Sequence, residues 1–233
     1  MKSNIYHPVR PQLIIYDLDG TLIDSVHEIY TALNLAIQDT LQLSIELAQV
    51  QQWIGNGSLK LVERALAHLT NGTAPDKALF EHCHSRFLYF YDLHLDQPST
   101  LYPYTQELLA FVKSLGIPQA IATNKPQQFV PTILKNIGIY PYFDAIVGGN
   151  SLPKRKPDSL PLNYLCQRFY CAPQNALMIG DSSADALSAH AAGIPCWLVE
   201  QGYNQGSHLK ELPSEQVFKD THELFKYIHC HFG

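Results

Sequence analysis

Two aspartates separated by one residue stand at the end of a short apolar stretch at residues 12–17: Asp17 is its last residue, and Asp19 follows. In an extended chain, side chains two residues apart point the same way, so both carboxylates should face one site, and Gly20 frees the turn that follows. Two carboxylates so close are costly unless they share a proton or a cation neutralises them. Because Mg²⁺ binds few carboxylates together with water and phosphate oxygens, the pattern favours a magnesium site over an acidic turn without function.

Three further groups of polar residues follow predicted strands or lie in nearby loops. The hydroxyl of Thr123 and the amides around Asn124 could hold a phosphate group, and the ammonium of Lys156 could balance its charge. Residues Asp181 and Asp185 supply further carboxylates. Each group alone carries little information, but the four in this order predict one site for a metal ion and a phosphate.

The elements that must position these residues alternate along the chain. Short apolar runs predict buried strands, and apolar residues at helical spacing lie between them; one such helix is expected to begin at Pro126 and to end at Gly138. Buried strands that alternate with amphipathic helices predict an α/β fold, a parallel sheet with helices on both faces. Ligands of such sheets bind at the carboxyl ends of the strands. The predicted strands are residues 12–17, 119–123, 143–147, 176–180 and 195–199.

Residues 25–97 break this alternation, because they show helical periods and no convincing strand. An all-helical insertion directly after the first strand predicts a separate cap domain. We therefore expect a discontinuous catalytic core, residues 1–24 and 99–233, and a helical cap domain, residues 25–98. The link back to the core is expected at residues 96–99.

A glycine-rich loop in the predicted cap, Gly55-Asn56-Gly57, precedes a helical pattern. Two glycines let backbone amides approach an anion at the positive end of a helix. Lys60 and Arg64, four residues apart, share the polar side of that helix and could attract a carboxylate. The alternative is a flexible turn followed by a solvated cationic face.

The composition argues against several classes of protein. The chain has 233 residues, 46% of them apolar, and carries 16 Lys and Arg against 21 Asp and Glu, so a general binder of nucleic acid or anionic membranes is not expected. No run of about 18 apolar residues occurs, and the N-terminus does not read as a secretory signal. Five scattered cysteines fit free thiols in a reducing cytoplasm. We expect no obligate protein partner, and a monomer or small homo-oligomer.

In this order, residues 17–21, 123–124, 156 and 180–185 resemble the four motifs of the haloacid dehalogenase-like phosphohydrolases. The resemblance spans nearly the whole chain and implies a Rossmann-like core. More narrowly, five segments resemble the bacterial phosphoglycolate phosphatases. These segments are residues 17–25 (DLDGTLIDS), 53–57 (WIGNG), 63–66 (ERAL), 123–125 (TNK) and 180–182 (GDS).

The chain departs from the family at two places. Pro103-Tyr104 stands where the family usually has Pro-Gly, and this difference is expected to alter the hinge between core and cap. Residues 156–162 (KPDSLPL) stand where the family often has KPxPxPL. Lys156 is kept in this segment, but the match to the subfamily is weaker.

The resemblance implies catalytic roles for the two aspartates. Asp17 would attack phosphorus and form an aspartyl-phosphate, and Asp19 would protonate the leaving oxygen and then activate water. Mg²⁺ would be held by Asp17, Asp181 and the main-chain carbonyl of Asp19. Asp185 would orient the metal ligands or Lys156, although a purely structural role as an acid at a helix N-terminus is the alternative.

The resemblance also implies a substrate. Thr123, Asn124 and Lys156 would hold the phosphoryl oxygens of a small phosphorylated molecule, 2-phosphoglycolate. Another small-molecule phosphatase, acting on a sugar phosphate or pyrophosphate, and a phosphomutase are the alternatives. Dehalogenase activity is disfavoured, because that branch normally lacks the second aspartate. A phosphoacceptor module without turnover is disfavoured by Asp19 and by the cap.

Overall fold

The centre of the fold is a six-stranded sheet in which every paired neighbour runs parallel. The coordinates are a computed structural model, which describes residues 9–95, 99–204 and 208–233. The strand order is β5-β4-β1-β6-β7-β8, and a separate two-stranded ribbon pairs β2 with β3. The strands are β1 (Leu13–Tyr16), β2 (Ile23–Asp24), β3 (Thr100–Leu101), β4 (Gln119–Ala122), β5 (Ala145–Val147), β6 (Ala176–Gly180), β7 (Cys196–Val199) and β8 (Gln216–Phe218).

Helices cover the sheet because its central strands are apolar on both faces. In β1, Ile14 and Tyr16 pack into one hydrophobic cluster, whereas Leu13 and Ile15 pack into a second. Such strands have no face for water, so both faces need helices. The helices are α1 (Val26–Leu41), α2 (Leu47–Trp53), α3 (Ser58–Leu69), α4 (Lys77–Leu93), α5 (Thr105–Ser114), α6 (Val130–Asn136), α7 (Leu160–Arg168), α8 (Ser183–Ala192) and α9 (Thr221–Phe232).

The four helices α1 to α4 form the insertion between β2 and β3. Helix α1 packs against α2 and α4, and α3 packs against α2 and α4. Because β2 and β3 pair antiparallel, the chain leaves for the insertion and returns from it at the same place. No strand interrupts these helices within residues 26–95. The division into a core and a cap stays a prediction, and residues 96–98 of the predicted link lie outside the described residues.

The predicted fold class is confirmed, and the five predicted strands begin and end within two residues of observed ones. The helix expected to begin at Pro126 instead begins at Val130, with a proline in its first turn. Residues 127–129 form turns, since the amide of Gln127 donates to Oδ1 of Asn150 (2.8 Å) and its side chain accepts from the amide of Gly148. The short edge strand β8 was missed.

Tyr104, which stands where the family usually has glycine, precedes α5 in the left-handed region of backbone space (φ 66°). This conformation is costly for a residue with a Cβ atom. The tyrosine ring stacks on His222 of α9, with ring centroids 3.9 Å apart. The side chain therefore gains a contact at a position where the backbone favours glycine. Among the described residues, no helix is both long and apolar enough to span a membrane.

Candidate active site

The predicted site residues meet at the carboxyl ends of three adjacent strands. Asp17 and Asp19 follow β1, Thr123 follows β4, and Asp181 follows β6. The strands β4 and β6 flank β1 on its two sides. The amide of Asp17 continues the pairing with β6 by donating to the carbonyl of Ile179 (2.9 Å). Sheet topology thus brings together residues that lie more than a hundred positions apart in the sequence.

The turn after β1 is tight and requires glycine at one position. The carbonyl of Leu18 accepts from the amides of Leu22 (3.0 Å) and Ile23 (3.2 Å), which folds the chain back over itself. Gly20 has a φ of +87°, and a Cβ atom there would lie 2.3 Å from Oδ2 of Asp181. No other residue type fits, so Gly20 lets the loop pack directly against the carboxylate of Asp181.

Three buried carboxylates, those of Asp17, Asp181 and Asp185, form a cluster. One oxygen from each lies within 4.8 Å of the others. Asp181 is held from two sides, because Oδ1 accepts from the hydroxyl of Thr21 (2.8 Å) and Oδ2 from the amide of Tyr203 (2.6 Å). The cluster offers hard oxygen ligands only, which is the donor set that Mg²⁺ and Ca²⁺ prefer. This donor set fits a divalent metal ion.

Asp185 holds Lys156 and also caps a helix, so the structure contains both arrangements that the sequence left open. Its Oδ1 accepts from Nζ of Lys156 (2.6 Å). Its Oδ2 accepts from the amide (3.1 Å) and hydroxyl (2.7 Å) of Ser182 at the start of α8. With both oxygens occupied by protein donors, Asp185 acts as an anchor for Lys156. Nζ of Lys156 also lies 3.0 Å from Oδ1 of Asp17.

Buried charge is concentrated in this one site. The six charged side chains that are buried among the described residues all belong to it: Asp17, Glu28, Lys125, Lys156, Asp181 and Asp185. Because a buried charge is costly, such a concentration is typical of a functional site.

Burial raises the pKa values of two carboxylates in the cluster. It raises the pKa of Asp17 to about 7, against the lowering effect of Lys156, and the charges of Asp185 and Asp19 raise it further. Burial and the neighbouring carboxylates also raise the pKa of Asp181 well above its ordinary value. Without a further cation, the cluster is therefore short of positive charge.

Asp19 turns away from the carboxylate cluster. Its Oδ1 accepts from Nζ of Lys125 (2.6 Å) and from the hydroxyl of Ser25 (2.6 Å). The side chain of Asp19 is therefore not among the three clustered carboxylates that could hold a metal ion. Lys125 received no role from the sequence, although it is the last residue of the TNK segment.

A cavity of about 50 Å³ opens beside these groups, between the strand ends and the helical insertion. Asp17, Asp19, Thr123, Asn124 and Lys125 line its polar side. Its remaining wall is mostly apolar and includes Ile29, Ile54, Leu61, Phe87, Tyr91, Pro126 and Phe129.

Asn124 ties the two sides of the cavity together. Its Nδ2 donates to the carbonyls of Lys156 (3.1 Å) and Gly55 (3.3 Å). Its buried Oδ1 has no hydrogen-bond partner within the described part of the chain. An unsatisfied buried acceptor is costly, and this one is available for a ligand.

The residues expected to bind a carboxylate in the insertion are only partly brought to the cavity. Gly55 and Gly57 line it. Arg64 does not: Nη1 donates to the carbonyl of Trp53 (2.7 Å) and Nη2 to Oδ1 of Asn56 (2.6 Å). Arg64 thus holds the loop that precedes α3.

Lys60 also lies away from the cavity. Its ammonium pairs with Glu63 at the protein surface, 2.6 Å from Oε2, and both side chains are about half exposed. At Lys60 the structure therefore has the alternative that the sequence left open, a solvated cationic face.

Comparison with known proteins identifies the family and the fold. Residues 14–199 match the family model described as haloacid dehalogenase-like hydrolase. A phosphoglycolate phosphatase of Nitrosospira multiformis is 34% identical over 224 residues, covering 96% of this chain and 98% of the relative. One of Thiobacillus denitrificans is 37% identical over 210 residues, covering 90% and 92%. A crystal structure of a predicted phosphoglycolate phosphatase from Haemophilus somnus superimposes with a TM-score of 0.87 at 33% identity, covering 94% and 98%.

The fold and the site define an α/β hydrolytic enzyme with aspartates at the ends of its central strands. The chain belongs to the haloacid dehalogenase-like hydrolases. The prediction of an enzyme, a phosphoric monoester hydrolase, is thereby confirmed.

Proposed function

We propose that the chain is a Mg²⁺-dependent phosphatase that hydrolyses 2-phosphoglycolate to glycolate and inorganic phosphate. The observation that carries this proposal is the pairing of buried Asp17 with Lys156 beside a cavity that Asp19 also lines. An anionic nucleophile, a fixed cation and a second carboxylate are the groups that a phosphoryl transfer needs. The names of the relatives support the substrate.

The first step forms a bond between a carboxylate oxygen of Asp17 and phosphorus. The ester bond between phosphorus and the glycolate oxygen breaks, and that oxygen takes a proton from Asp19. In the second step, the carboxylate of Asp19 removes a proton from water, which attacks the aspartyl-phosphate. The bond between Asp17 and phosphorus then breaks, inorganic phosphate leaves, and Asp19 is protonated again.

The phosphoryl oxygens are held at the strand ends. Thr123 and Asn124 line the cavity, and the ammonium of Lys156 lies beside Asp17. Asp17 and Asp181 would hold Mg²⁺, together with the main-chain carbonyl of Asp19. When bound, the ion supplies positive charge that offsets the repulsion between the carboxylate of Asp17 and the phosphate.

The size of the cavity supports a small substrate. A cavity of about 50 Å³ is several times the roughly 10–15 Å³ that one water molecule needs. The cavity therefore suits the two-carbon chain of glycolate better than a hexose ring. Among the residues that line it, Lys125 carries the positive charge, and the main-chain amides near Gly57 and the hydroxyl of Ser58 lie at the start of α3.

A substrate panel tests the proposal through the release of inorganic phosphate in the presence of Mg²⁺. The panel contains 2-phosphoglycolate, glucose 6-phosphate, pyrophosphate and p-nitrophenyl phosphate. We expect kcat/KM for 2-phosphoglycolate to exceed that for the hexose phosphate by at least about tenfold.

Three results would contradict parts of the proposal. A tenfold preference for the hexose phosphate would contradict 2-phosphoglycolate as the substrate but would still support a phosphatase. Conversion of a sugar phosphate to its isomer without release of phosphate would indicate a phosphomutase. Absence of repeated turnover on every ester would indicate a phosphoacceptor module.

We also propose a cytoplasmic location and a monomer or small homo-oligomer. All five cysteines are free thiols in the structure, which suits a reducing compartment. The net charge of −5 gives no support for a nucleic-acid partner. Light scattering coupled to size exclusion measures the oligomeric state directly, and a large assembly would contradict this part of the proposal.

A further inference from the structure

Lys125 is a buried ammonium that the proposed steps do not use. Its Nζ lies 2.6 Å from Oδ1 of Asp19 and 3.4 Å from Oε1 of Glu28. It also lies 5.0 Å from the centre of the Tyr91 ring. Burial by itself lowers the pKa of Lys125, but the two carboxylates outweigh this effect and raise the pKa, so the ammonium stays charged.

Glu28, the second partner of Lys125, connects three parts of the helical insertion. It lies in the first turn of α1 and is buried. Its Oε1 accepts from the hydroxyl of Tyr91, near the end of α4, and its Oε2 accepts from the hydroxyl of Ser99, just before β3. One carboxylate therefore contacts the beginning of the insertion, its last helix and the segment that returns to the sheet.

These contacts form a continuous path from the insertion to Asp19. Lys125 follows β4 in the sheet, whereas Glu28 belongs to the insertion. A lysine side chain that is free in solution samples many rotamers, and fixing it costs conformational entropy. Two carboxylates and an aromatic ring surround the ammonium of Lys125 and hold it in one position. The ammonium in turn holds Oδ1 of Asp19.

We propose that Lys125 is the positioning residue of Asp19 and that Glu28 holds Lys125 in place. The inference rests on the proposed function in one respect, the role of Asp19 as the acid and base. With Oδ1 of Asp19 bound to Lys125 and Ser25, the other oxygen, Oδ2, is left to carry the proton to the leaving group. Through Glu28 and Lys125 the insertion thereby aligns Asp19, and Glu28 itself does not contact the substrate.

A double-mutant cycle tests whether Lys125 acts through Asp19. Lys125→Met, Asp19→Asn and the double variant are compared on 2-phosphoglycolate, ethyl phosphate and p-nitrophenyl phosphate. The p-nitrophenolate ion leaves without a proton, so a misplaced acid slows the two alkyl esters selectively. Because Asp19 also acts as the base in the second step, which all three esters share, the comparison uses kcat/KM, which reports the first step. Lys125→Met should lower kcat/KM on both alkyl esters by about tenfold and on p-nitrophenyl phosphate by less than about threefold. In the Asp19→Asn background it should cause no further loss.

Three other results overturn the inference. If the fold losses of the two single variants multiply in the double variant, Lys125 acts independently of Asp19. A loss confined to 2-phosphoglycolate, and mainly in KM, shows that Lys125 binds the substrate carboxylate. An equal loss on all three esters with a lowered melting temperature shows a structural role only. Each of these results is compatible with the proposed phosphatase activity. A wild-type chain that hydrolyses none of the esters would contradict both the proposed function and this inference.

Two further variants and one substitute for Lys125→Met complete the experiment. Glu28→Gln keeps the size of the side chain but removes its charge, and it should reproduce the selective loss on alkyl esters at about threefold. Lys77→Met is the matched control, since Lys77 is exposed and pairs with the exposed Glu81 on the same helix, α4. If Lys125→Met does not fold, Lys125→Arg replaces it, because arginine keeps the charge but places it differently. The same double-mutant cycle is then measured, and the same results support or overturn the inference.

Discussion

Nζ of Lys156 lies 3.0 Å from Oδ1 of Asp17, and both side chains are almost completely shielded from water. Burial raises the pKa of the Asp17 carboxyl, and the ammonium opposes this change, with a net pKa of about 7. The proposed nucleophile therefore ionises near neutral pH before any metal ion is bound. Its protonation links activity, metal binding and stability.

Replacing Asp17 by asparagine should abolish turnover without unfolding the chain. The amide keeps the size of the side chain but is not a nucleophile. It also removes a buried charge, so the melting temperature in EDTA at pH 8 should equal or exceed that of the wild type. Phosphate release and thermal unfolding measure the two effects. The exposed Asp92 on α4 offers the control Asp92→Asn, and near wild-type activity in Asp17→Asn would overturn the mechanism.

Removal of the metal ion should abolish activity. EDTA should stop phosphate release and added Mg²⁺ should restore it, whereas Ca²⁺ should inhibit because its looser coordination misplaces nucleophile and phosphate. Asp181→Asn should raise the concentration of Mg²⁺ needed for half-maximal activity at least about tenfold, since it removes one charge of the cluster. A Mg²⁺ titration of both proteins measures this. Full activity in EDTA is incompatible with the proposal.

The stability of the metal-free chain should depend on Asp17 between about pH 4 and pH 7. The folded pKa of about 7 exceeds the ordinary value of 3.8, so the folded state binds the proton more tightly. This contribution to stability is present below pH 4 and is lost as the pH rises through 7. Mg²⁺ binds the ionised form, so it should raise the melting temperature more at pH 8 than at pH 5.

Thermal unfolding of the wild type and Asp17→Asn at both pH values isolates this group. The difference in melting temperature between the two metal-free proteins should shift in favour of the variant as the pH rises. A difference that stays constant between pH 5 and pH 8 would show that Asp17 has an ordinary pKa.

Arg64→Ala should slow all substrates by a similar factor. The guanidinium holds the carbonyl of Trp53 and the side chain of Asn56, so its loss loosens the loop before α3 and does not remove a carboxylate partner. We expect equal losses of about three- to tenfold in kcat/KM for 2-phosphoglycolate and p-nitrophenyl phosphate. Lys60→Ala is the control and should change neither. A loss specific to 2-phosphoglycolate would restore Arg64 as a carboxylate ligand.

Tyr104→Gly should be more stable than Tyr104→Ala. Both variants lose the stack on His222, but only glycine adopts the left-handed backbone without strain, which is worth about 1 kcal/mol. Denaturant unfolding of the two variants measures the difference. Equal stabilities would show that the backbone relaxes away from its positive φ when the ring is removed.

Sequence patterns predicted the parts of the site that depend on neighbouring residues. Asp17 and Asp19 were predicted to face one site because they share a strand end, and Asp181 because a second strand ends before it. The parallel sheet then brings the strand ends together. The site roles of these residues remain predictions, but their proximity follows from local pattern and topology alone.

The remaining site residues depend on packing between distant segments. Glu28 reads as an ordinary acid in the first turn of a helix, and nothing near it in sequence shows that Lys125 lies beside it. Arg64 was expected at the anion because helical spacing gives a polar face. Spacing does not reveal that the preceding loop accepts hydrogen bonds from both terminal nitrogens of this side chain, Nη1 and Nη2.

The position of β1 in the sheet has a consequence for biosynthesis. This strand is synthesised before the other described strands of the sheet, yet it lies in the centre, and Ile14 pairs with Gln119 on one side and Leu177 on the other. The helices of the insertion contact one another across shorter sequence distances than β1 and β6 do, so they can form before the sheet is complete. The apolar strand β1 therefore stays unpaired until its partners β4 and β6 have been synthesised, and such an exposed apolar segment is prone to aggregation. The carboxylate cluster of Asp17, Asp181 and Asp185 is complete only when residues beyond 180 have emerged, so it forms long after its first member has been synthesised.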